Sequence, residues 1–307
     1  MNKFFREVSM NRLGDICGNA NVLYNEPMKK HTSFRAGGEA KVIAKPQSKE
    51  KLVDVIKYLE SGNIEYAIVG NGSNLLVSDS GFDGVIILTE CIDYIVCENE
   101  KITAGCGASL AKIASVALDN SLTGFEFAAG IPGFAGGGVV MNAGAYGGEL
   151  KDILGKIEYC DSDGDVFCVD AKDAELSYRH SMFSDKKLCI LEAEFCLSKG
   201  DANEIRERMN ELAAKRRDKQ PLNYPSAGSA FKRPEGYFAA KLIEDSGLKG
   251  FSVGDAQVSD KHCGFIVNKG NASASDIYNL IRHCKKTVLE KQGVVIEPEI
   301  KFLGNFE

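Results

Sequence analysis

GFEFAAGIPGFAGGGVVMNAGAYGGE occupies residues 124–149 and decides how the rest of the chain is read. Nine of its 26 residues are glycine, and neither the 3.6-residue helical period nor the two-residue strand period fits it. Glycine loses more conformational freedom on ordering than any other residue, so such a concentration is costly. The cost makes sense where the backbone presses against a large flat ligand or turns tightly on itself. Residues 130–148 are therefore a candidate ligand cradle, with a glycine-rich structural loop as the alternative reading.

Two shorter glycine segments lie upstream. Gly70–Leu76 reads GNGSNLL, and Gly105-Cys106-Gly107 precedes a helix. None of the three segments is GxxxxGK[ST], so a P-loop is unsupported. Gly105-Cys-Gly107-Ala-Ser-Leu comes closest to a dinucleotide fingerprint but places Leu110 where the third glycine belongs. Asn71, Gly72, Ser73 and Asn74 follow a short strand. Their amides and short side chains suit either an anion such as a pyrophosphate or an ordinary Asn-Gly turn.

Around these loops the pattern alternates. A helix is expected over 49–60, with Ser48 as N-cap, Gly62 as stop, and Leu52, Val53, Val55, Ile56 and Leu59 inward. Strands are expected at 64–70 and near 84–89, and short strands over 91–106 around an ENE turn. A second helix is expected over 107–118, with Leu110, Ile113, Val116 and Ala117 inward. Residues 153–198 read as a β meander. Helices follow over 202–219, 237–246 and 275–291, the last burying Ile277, Leu280, Ile281, Cys284 and Val288. VVIEPEIKFLG closes the chain as a strand interrupted or edged by Pro298, with Glu297 and Glu299 on one face.

Composition removes several classes. The chain has 307 residues, 44% hydrophobic and 26% charged, with net charge -6. That is a globular composition. No window approaches 18 apolar residues, and MNKFFREVSMNRLGDI has no apolar core followed by a cleavage site, so neither a spanning helix nor a secretory signal is expected. Without a basic tract, nucleic acid and anionic membrane are poor partners. The ten cysteines form no CxxC and no zinc spacing with the four histidines, so no metal is expected. They read as small hydrophobes in a reducing cytoplasm.

Isolated polar groups complete the picture. Arg179, in Tyr178-Arg179-His180-Ser181, suits a carboxylate or phosphate, or a surface ion pair. Ser229 sits in PSAGSAFKRP, and no GxSxG or SxxK marks it as a nucleophile. Glu299 lies in an apolar C-terminal run, where a carboxyl can serve as a general acid.

Together HTSFRAGG, VGNGSNLLVSD, the 128–149 segment, LSYRHSMF, YPSAGSAFKRPEG, AAKLIEDSGLKG, VSDKHCGFIVNKG and EPEIKFLG resemble the UDP-N-acetylenolpyruvoylglucosamine reductase family, in its shorter type II form. The likeness runs from about His31 to Phe302. It implies an α+β chain with the PCMH/vanillyl-alcohol-oxidase-type FAD-binding fold. Two α+β subdomains (1–84 and 85–200) would hold FAD, and a C-terminal α/β substrate-binding domain (201–307) would send its last strand, about 293–303, back to the flavin.

The resemblance further implies that NADPH supplies hydride to FAD, which delivers it to the enolpyruvyl C3 of UDP-N-acetylglucosamine enolpyruvate in peptidoglycan precursor synthesis. Arg179, Ser229 and Glu299 take the catalytic positions. Arg35, Asn71, Gly72, Ser73, Asn74, Leu75, Ala129, Gly130, Ile131, Gly137, Asn142, Gly144 and Ala145 take the cofactor positions. Tyr178, Lys219, Arg233 and His262 take the substrate positions, although the longer form of the family carries glutamine where His262 stands. No obligate protein partner is implied. Another FAD oxidoreductase of the same fold and a catalytically silent nucleotide-binding module remain as alternatives.

Overall fold

A computed structural model describes residues 12–184 and 186–306; most of the N-terminal stretch on which the secretory-signal expectation rests lies outside them. The chain forms two compact units. The larger holds residues up to Tyr24, Val42–Asn71 and Gly84–Lys215; the smaller holds Asn25–Lys41, Gly72–Asp83 and the chain from Arg216 on.

The elements first met are β1 (Val22–Pro27), β2 (Glu39–Ala44), α1 (Lys49–Ser61), β3 (Tyr66–Val69), β4 (Leu75–Val77) and β5 (Phe82–Leu88). α1 starts where Ser48 Oγ accepts the Lys51 N–H at 3.3 Å, and it buries the five apolar residues expected of it. Its last turn ends at Gly62, but that glycine keeps a right-handed φ of -87° and Asn63 takes the positive one, +47°. β3 runs parallel to β5, Tyr66 opposite Val85, in a sheet ordered β1-β2-β5-β3.

Next come β6 (Ile95–Glu98), β7 (Lys101–Gly105), α2 (Leu110–Asp119), β8 (Leu122–Thr123), α3 (Ala135–Val140), β9 (Gly144–Ala145) and β10 (Gly148–Glu149). They are followed by β11 (Leu154–Cys160), β12 (Val166–Asp170), β13 (Cys189–Cys196) and β14 (Ser198–Lys199). The hairpin over 91–106 and α2 form as expected, though Val116 is only half-buried. The meander over 153–198 does not form. β13 returns beside β11 rather than β12, giving the antiparallel order β12-β11-β13-β7-β6. The reason lies in the side chains: β12 is exposed along most of its length and belongs at an edge, whereas β13 alternates buried residues and belongs inside. Phe125 and Phe195 meet edge-on at 5.0 Å in the core of this unit.

Helix α4 (Ala202–Lys219) carries the chain onward to α5 (Ala239–Asp245), β15 (Ser252–Val253), β16 (Ala256–Val258), β17 (Ile266–Asn268), α6 (Ala274–Gln292) and β18 (Lys301–Leu303). In the smaller unit β15, β16 and β17 form an antiparallel sheet, and α6 packs on it with the five residues read as its buried side. The terminal run corrects a second expectation. Only Lys301–Leu303 is strand, parallel to β4 with Lys301 opposite Leu75. Pro298, which has no N–H to give a ladder, makes a single bridge to Phe231. Glu297 and Glu299 accordingly share no strand face: Glu297 is exposed and Glu299 half-buried.

Candidate active site

Within the larger unit a cavity of about 370 Å³ is lined by Gly70, Thr89, Cys106, Gly136, Gly137 and Ile190, among others. Lys186, Lys187 and Asp161 are its charged residues beside Glu65. A Cβ placed on Gly137 would meet nothing within 4 Å, so this glycine leaves wall space that any other residue would fill. Asn71 stands next to Gly70, and its side-chain amide donates to the Pro132 carbonyl at 2.8 Å, tying the end of β3 to the 130–133 turn.

After α3 the glycine-rich segment folds back on itself. Ala145 pairs with Gly148, and the two residues between them, Tyr146 and Gly147, have φ of +54° and +92°. Two successive positive values define the tight hairpin turn that matches strand twist, which explains glycine at 147. Asn142 is fully buried with φ +41°. Its amide donates to the Ser177 carbonyl at 2.9 Å and to Glu149 at 3.2 Å, while its oxygen accepts the Lys151 N–H at 2.9 Å. That side chain is thus committed to protein partners.

The Ser177 carbonyl belongs to the turn that presents Tyr178 and Arg179. Ser177 and His180 close the turn as a bridge, and Arg179 carries a φ of +54°. The Arg179 guanidinium lies 5.2 Å from the Tyr178 ring centre and donates to the Gly144 carbonyl at 3.5 Å. Behind it, buried Ser181 donates to the Val140 carbonyl at 2.8 Å. The cradle and the arginine turn are therefore one hydrogen-bonded construction.

In the smaller unit the Gly72–Leu75 segment meets the C-terminal run. Gly72 has φ +59°, and a Cβ there would sit 2.0 Å from the His31 carbonyl oxygen. The Asn74 amide donates to the Glu299 carbonyl at 2.9 Å, and the Lys301 N–H donates to the Asn74 carbonyl at 3.0 Å. On its other side the Glu299 N–H donates to the Ala230 carbonyl at 2.9 Å. Ser229 precedes Ala230, is exposed, and bridges Phe265. Ser229 and Glu299 are brought together in this way, on adjoining extended segments.

The other residues of the smaller unit sit around these segments. Arg233 is exposed, with its guanidinium 4.0 Å from the Phe238 ring centre and its Nε 3.4 Å from the Tyr237 carbonyl. Lys219 is exposed at the end of α4; next to it, Gln220 Oε1 is buried without a donor. Arg35 is exposed, with φ +53°. His262 is half-buried, and Nδ1 accepts the Gly264 N–H at 3.1 Å, which places the ring proton on Nε2. Burial holds its pKa below the ordinary histidine value, against a smaller opposing backbone hydrogen bond, so it stands as a neutral donor.

The sequence reading did not single out Thr89, Cys106, Gly136 or Ile190 as cavity residues. Gly136 was visible within the glycine cluster and Cys106 within GCG, but Thr89 and Ile190 are ordinary strand residues until the sheets are assembled. No group of three or more His, Cys, Asp or Glu placed to hold a metal occurs among the described residues, and no described helix is long and apolar enough to cross a membrane.

The model of the FAD binding domain family matches residues 40–170, and that of the UDP-N-acetylenolpyruvoylglucosamine reductase C-terminal domain matches 220–303. The first defines the class: an FAD-binding α+β fold, as expected. Alkyldihydroxyacetonephosphate synthase shares the fold at TM-score 0.50 and 13% identity, over 63% of this chain and 40% of that one. The crystal structure of UDP-N-acetylenolpyruvylglucosamine reductase from Thermus caldophilus superposes at TM-score 0.78 with 32% identity, covering 92% of this chain and 98% of that one. UDP-N-acetylenolpyruvoylglucosamine reductase of Caldanaerobacter subterraneus is 49% identical over 97% of this chain and 99% of its own length; that of Agathobacter rectalis is 50% identical over 93% and 95%. The chain belongs to the UDP-N-acetylenolpyruvoylglucosamine reductase family.

The residues present fit FAD. A dinucleotide needs close backbone and room for a flat group, and the larger unit offers a cavity walled by glycine backbone at 70, 136 and 137.

Proposed function

We propose that this chain reduces UDP-N-acetylglucosamine enolpyruvate to UDP-N-acetylmuramate with NADPH, as a step of peptidoglycan precursor synthesis in the cytoplasm. FAD, when bound, would supply the redox chemistry between NADPH and the enolpyruvyl C3. What remains for the protein is to hold two anionic molecules and to manage charge and one proton at C2.

Arg179 is the residue for the charge. Hydride arrival at C3 moves electrons onto C2 and its carboxylate, and a guanidinium offers paired N–H donors to that carboxylate. Ser229 delivers the proton to C2. A serine hydroxyl is a poor acid in water and serves only opposite a strongly basic carbanion-like centre within direct reach. Glu299 assists at the same centre as a protonated carboxyl or hydrogen-bonding partner. The Glu299–Ala230 backbone bond is the observation that carries this pairing, because it fixes the glutamate beside the serine's own segment.

Lys219 and Arg233 offer positive charge to the sugar-nucleotide diphosphate, and Tyr178 and His262 offer hydrogen bonds. These local cations are needed because the chain's net charge of -6 opposes anionic ligands. Flavin contacts are assigned to Asn71, Ala129–Ile131, Gly137 and Asn142–Ala145 in the larger unit, and to Arg35 and Gly72–Leu75 in the smaller. Functionally the chain divides into 1–84, 85–200 and 201–307.

The test is anaerobic. NADPH should bleach the visible flavin band, and the enolpyruvyl sugar nucleotide should restore it. In Ser229→Ala the bleaching should persist, while restoration slows by about 10²–10⁴. Equal loss in both halves would overturn the assignment of Ser229; no flavin band at all would overturn the reading itself.

A further inference from the structure

Cys160 is the last residue of β11 and Cys189 the first of β13, and the two stand directly opposite each other in the antiparallel register. Opposed residues send their side chains to the same face, with Cα atoms about 4.5–5.5 Å apart. That lies inside the span of about 4.4–6.8 Å that a disulfide accepts. Both side chains are buried, at 0% and 3% exposure. The register shifts one step away, between Glu158 and Tyr159, and each cysteine ends its strand, so the backbone has room to adjust.

The pair is not sealed off. Cys189 lines the glycine-walled cavity, together with Phe183, Leu188 and Ile190 of its own segment. We propose that Cys160 and Cys189 are an oxidisable dithiol beneath that cavity, closed to a disulfide by peroxide that enters through it. Blocking of that entry by nucleotide rests on the reading of the cavity as an FAD site.

The two thiols differ in reactivity. The hydrogen bond from Cys189 holds the Cys160 thiol below the ordinary value, against burial and the Asp161 charge, with Lys57 assisting. The same bond and full burial push Cys189 up. The other thiol on the cavity besides Cys189, Cys106, is pushed to about 12 by burial and stays protonated. One sulfur of the pair attacks a peroxide oxygen, forming the sulfenic acid as hydroxide leaves and takes up a proton. The other thiol then attacks that sulfur, losing its own proton and releasing water. Two thiols and one peroxide thus become one disulfide and two waters.

The experiment exposes flavin-free protein to hydrogen peroxide and maps disulfides after non-reducing digestion. A cross-linked Cys160–Cys189 pair, lighter by two hydrogens and reversed by dithiothreitol, is expected. Fragmentation must assign it, because the tryptic peptide holding Cys160 also holds Cys168. Cys160→Ser should abolish the link. Oxidation confined to exposed Cys168 and Cys196, with no link in the wild-type chain, would overturn the dithiol. Preloading with FAD well above its dissociation constant should slow linkage by about tenfold or more, because only the small unloaded fraction stays open to peroxide. Linkage at an unchanged rate in protein whose visible band shows retained FAD would overturn entry through the cavity. Failure to take up FAD would instead count against the flavin reading, with the dithiol still decided by the map.

Discussion

Asn74 holds the Glu299 carbonyl with its side-chain amide at 2.9 Å, across 225 residues of sequence. The bond joins the residue before β4 to the residue two before β18, and the parallel pairing of those strands begins immediately after it. A carboxyl proposed to act in catalysis needs such an anchor here, since the three-residue β18 fixes little alone. Asn74→Ala leaves the Glu299 carbonyl without its donor. The melting temperature should fall by an amount equivalent to about 1–3 kcal/mol. In the FAD-loaded variant the sugar-nucleotide half-reaction should slow more than flavin reduction by NADPH, a split read by stopped-flow. Equal slowing of both halves would show that Asn74 serves the flavin or the fold and not Glu299.

Gly72 permits the same segment to exist. With φ +59° and the His31 carbonyl oxygen 2.0 Å from where a Cβ would stand, alanine brings both backbone strain and a collision. Gly72→Ala should lose about 1–3 kcal/mol or more in a denaturant titration. Wild-type stability in this variant would show that the chain between His31 and Thr32 yields freely.

How much of this was legible in the sequence depends on range. Ser48 and the face of α6 were readable because caps and helical periods are local. The 124–149 segment was readable as special because its cost is compositional. The side-chain role of Asn142 was not, since its partners at 149, 151 and 177 come together only in the fold. Nor was the opposition of Cys160 and Cys189, which depends on β13 choosing β11 over β12. Pro298 was seen as a strand defect, but its consequence, a single bridge and a strand reduced to Lys301–Leu303, needed the partners on both sides.

Asp79 caps α6 from outside the helix. Its carboxylate accepts the Ala274 and Ser275 N–H groups, each at 2.8 Å, and the Ser275 hydroxyl at 2.6 Å. Burial raises its pKa, but those donors outweigh it and hold the carboxyl below its ordinary value. With the folded value below the unfolded one, the charge stabilises the protein above the unfolded value, near ~4, and the benefit is lost as pH falls through the folded value. Asp79→Asn should therefore cost about 1 kcal/mol at neutral pH. Denaturation from pH 7 downward should show the gap to wild type closing below about pH 4. A gap independent of pH would show that the charge plays no part.

Asn142 offers the sharpest separation of backbone from side chain. Its φ of +41° is a left-handed value that alanine resists and glycine accepts, whereas its three hydrogen bonds are lost in either variant. Asn142→Gly should therefore be more stable than Asn142→Ala by about 1 kcal/mol. Both should slow restoration of the flavin band by the enolpyruvyl substrate, because the Ser177 carbonyl, and with it the turn carrying Arg179, loses its tether. The Asn142→Gly defect should resemble a partial Arg179→Ala defect, with a raised KM for substrate and a lowered kcat. If Asn142→Gly restored the band at the wild-type rate, Asn142 would be serving the backbone alone, and the tether to Ser177 would have no part in placing the arginine.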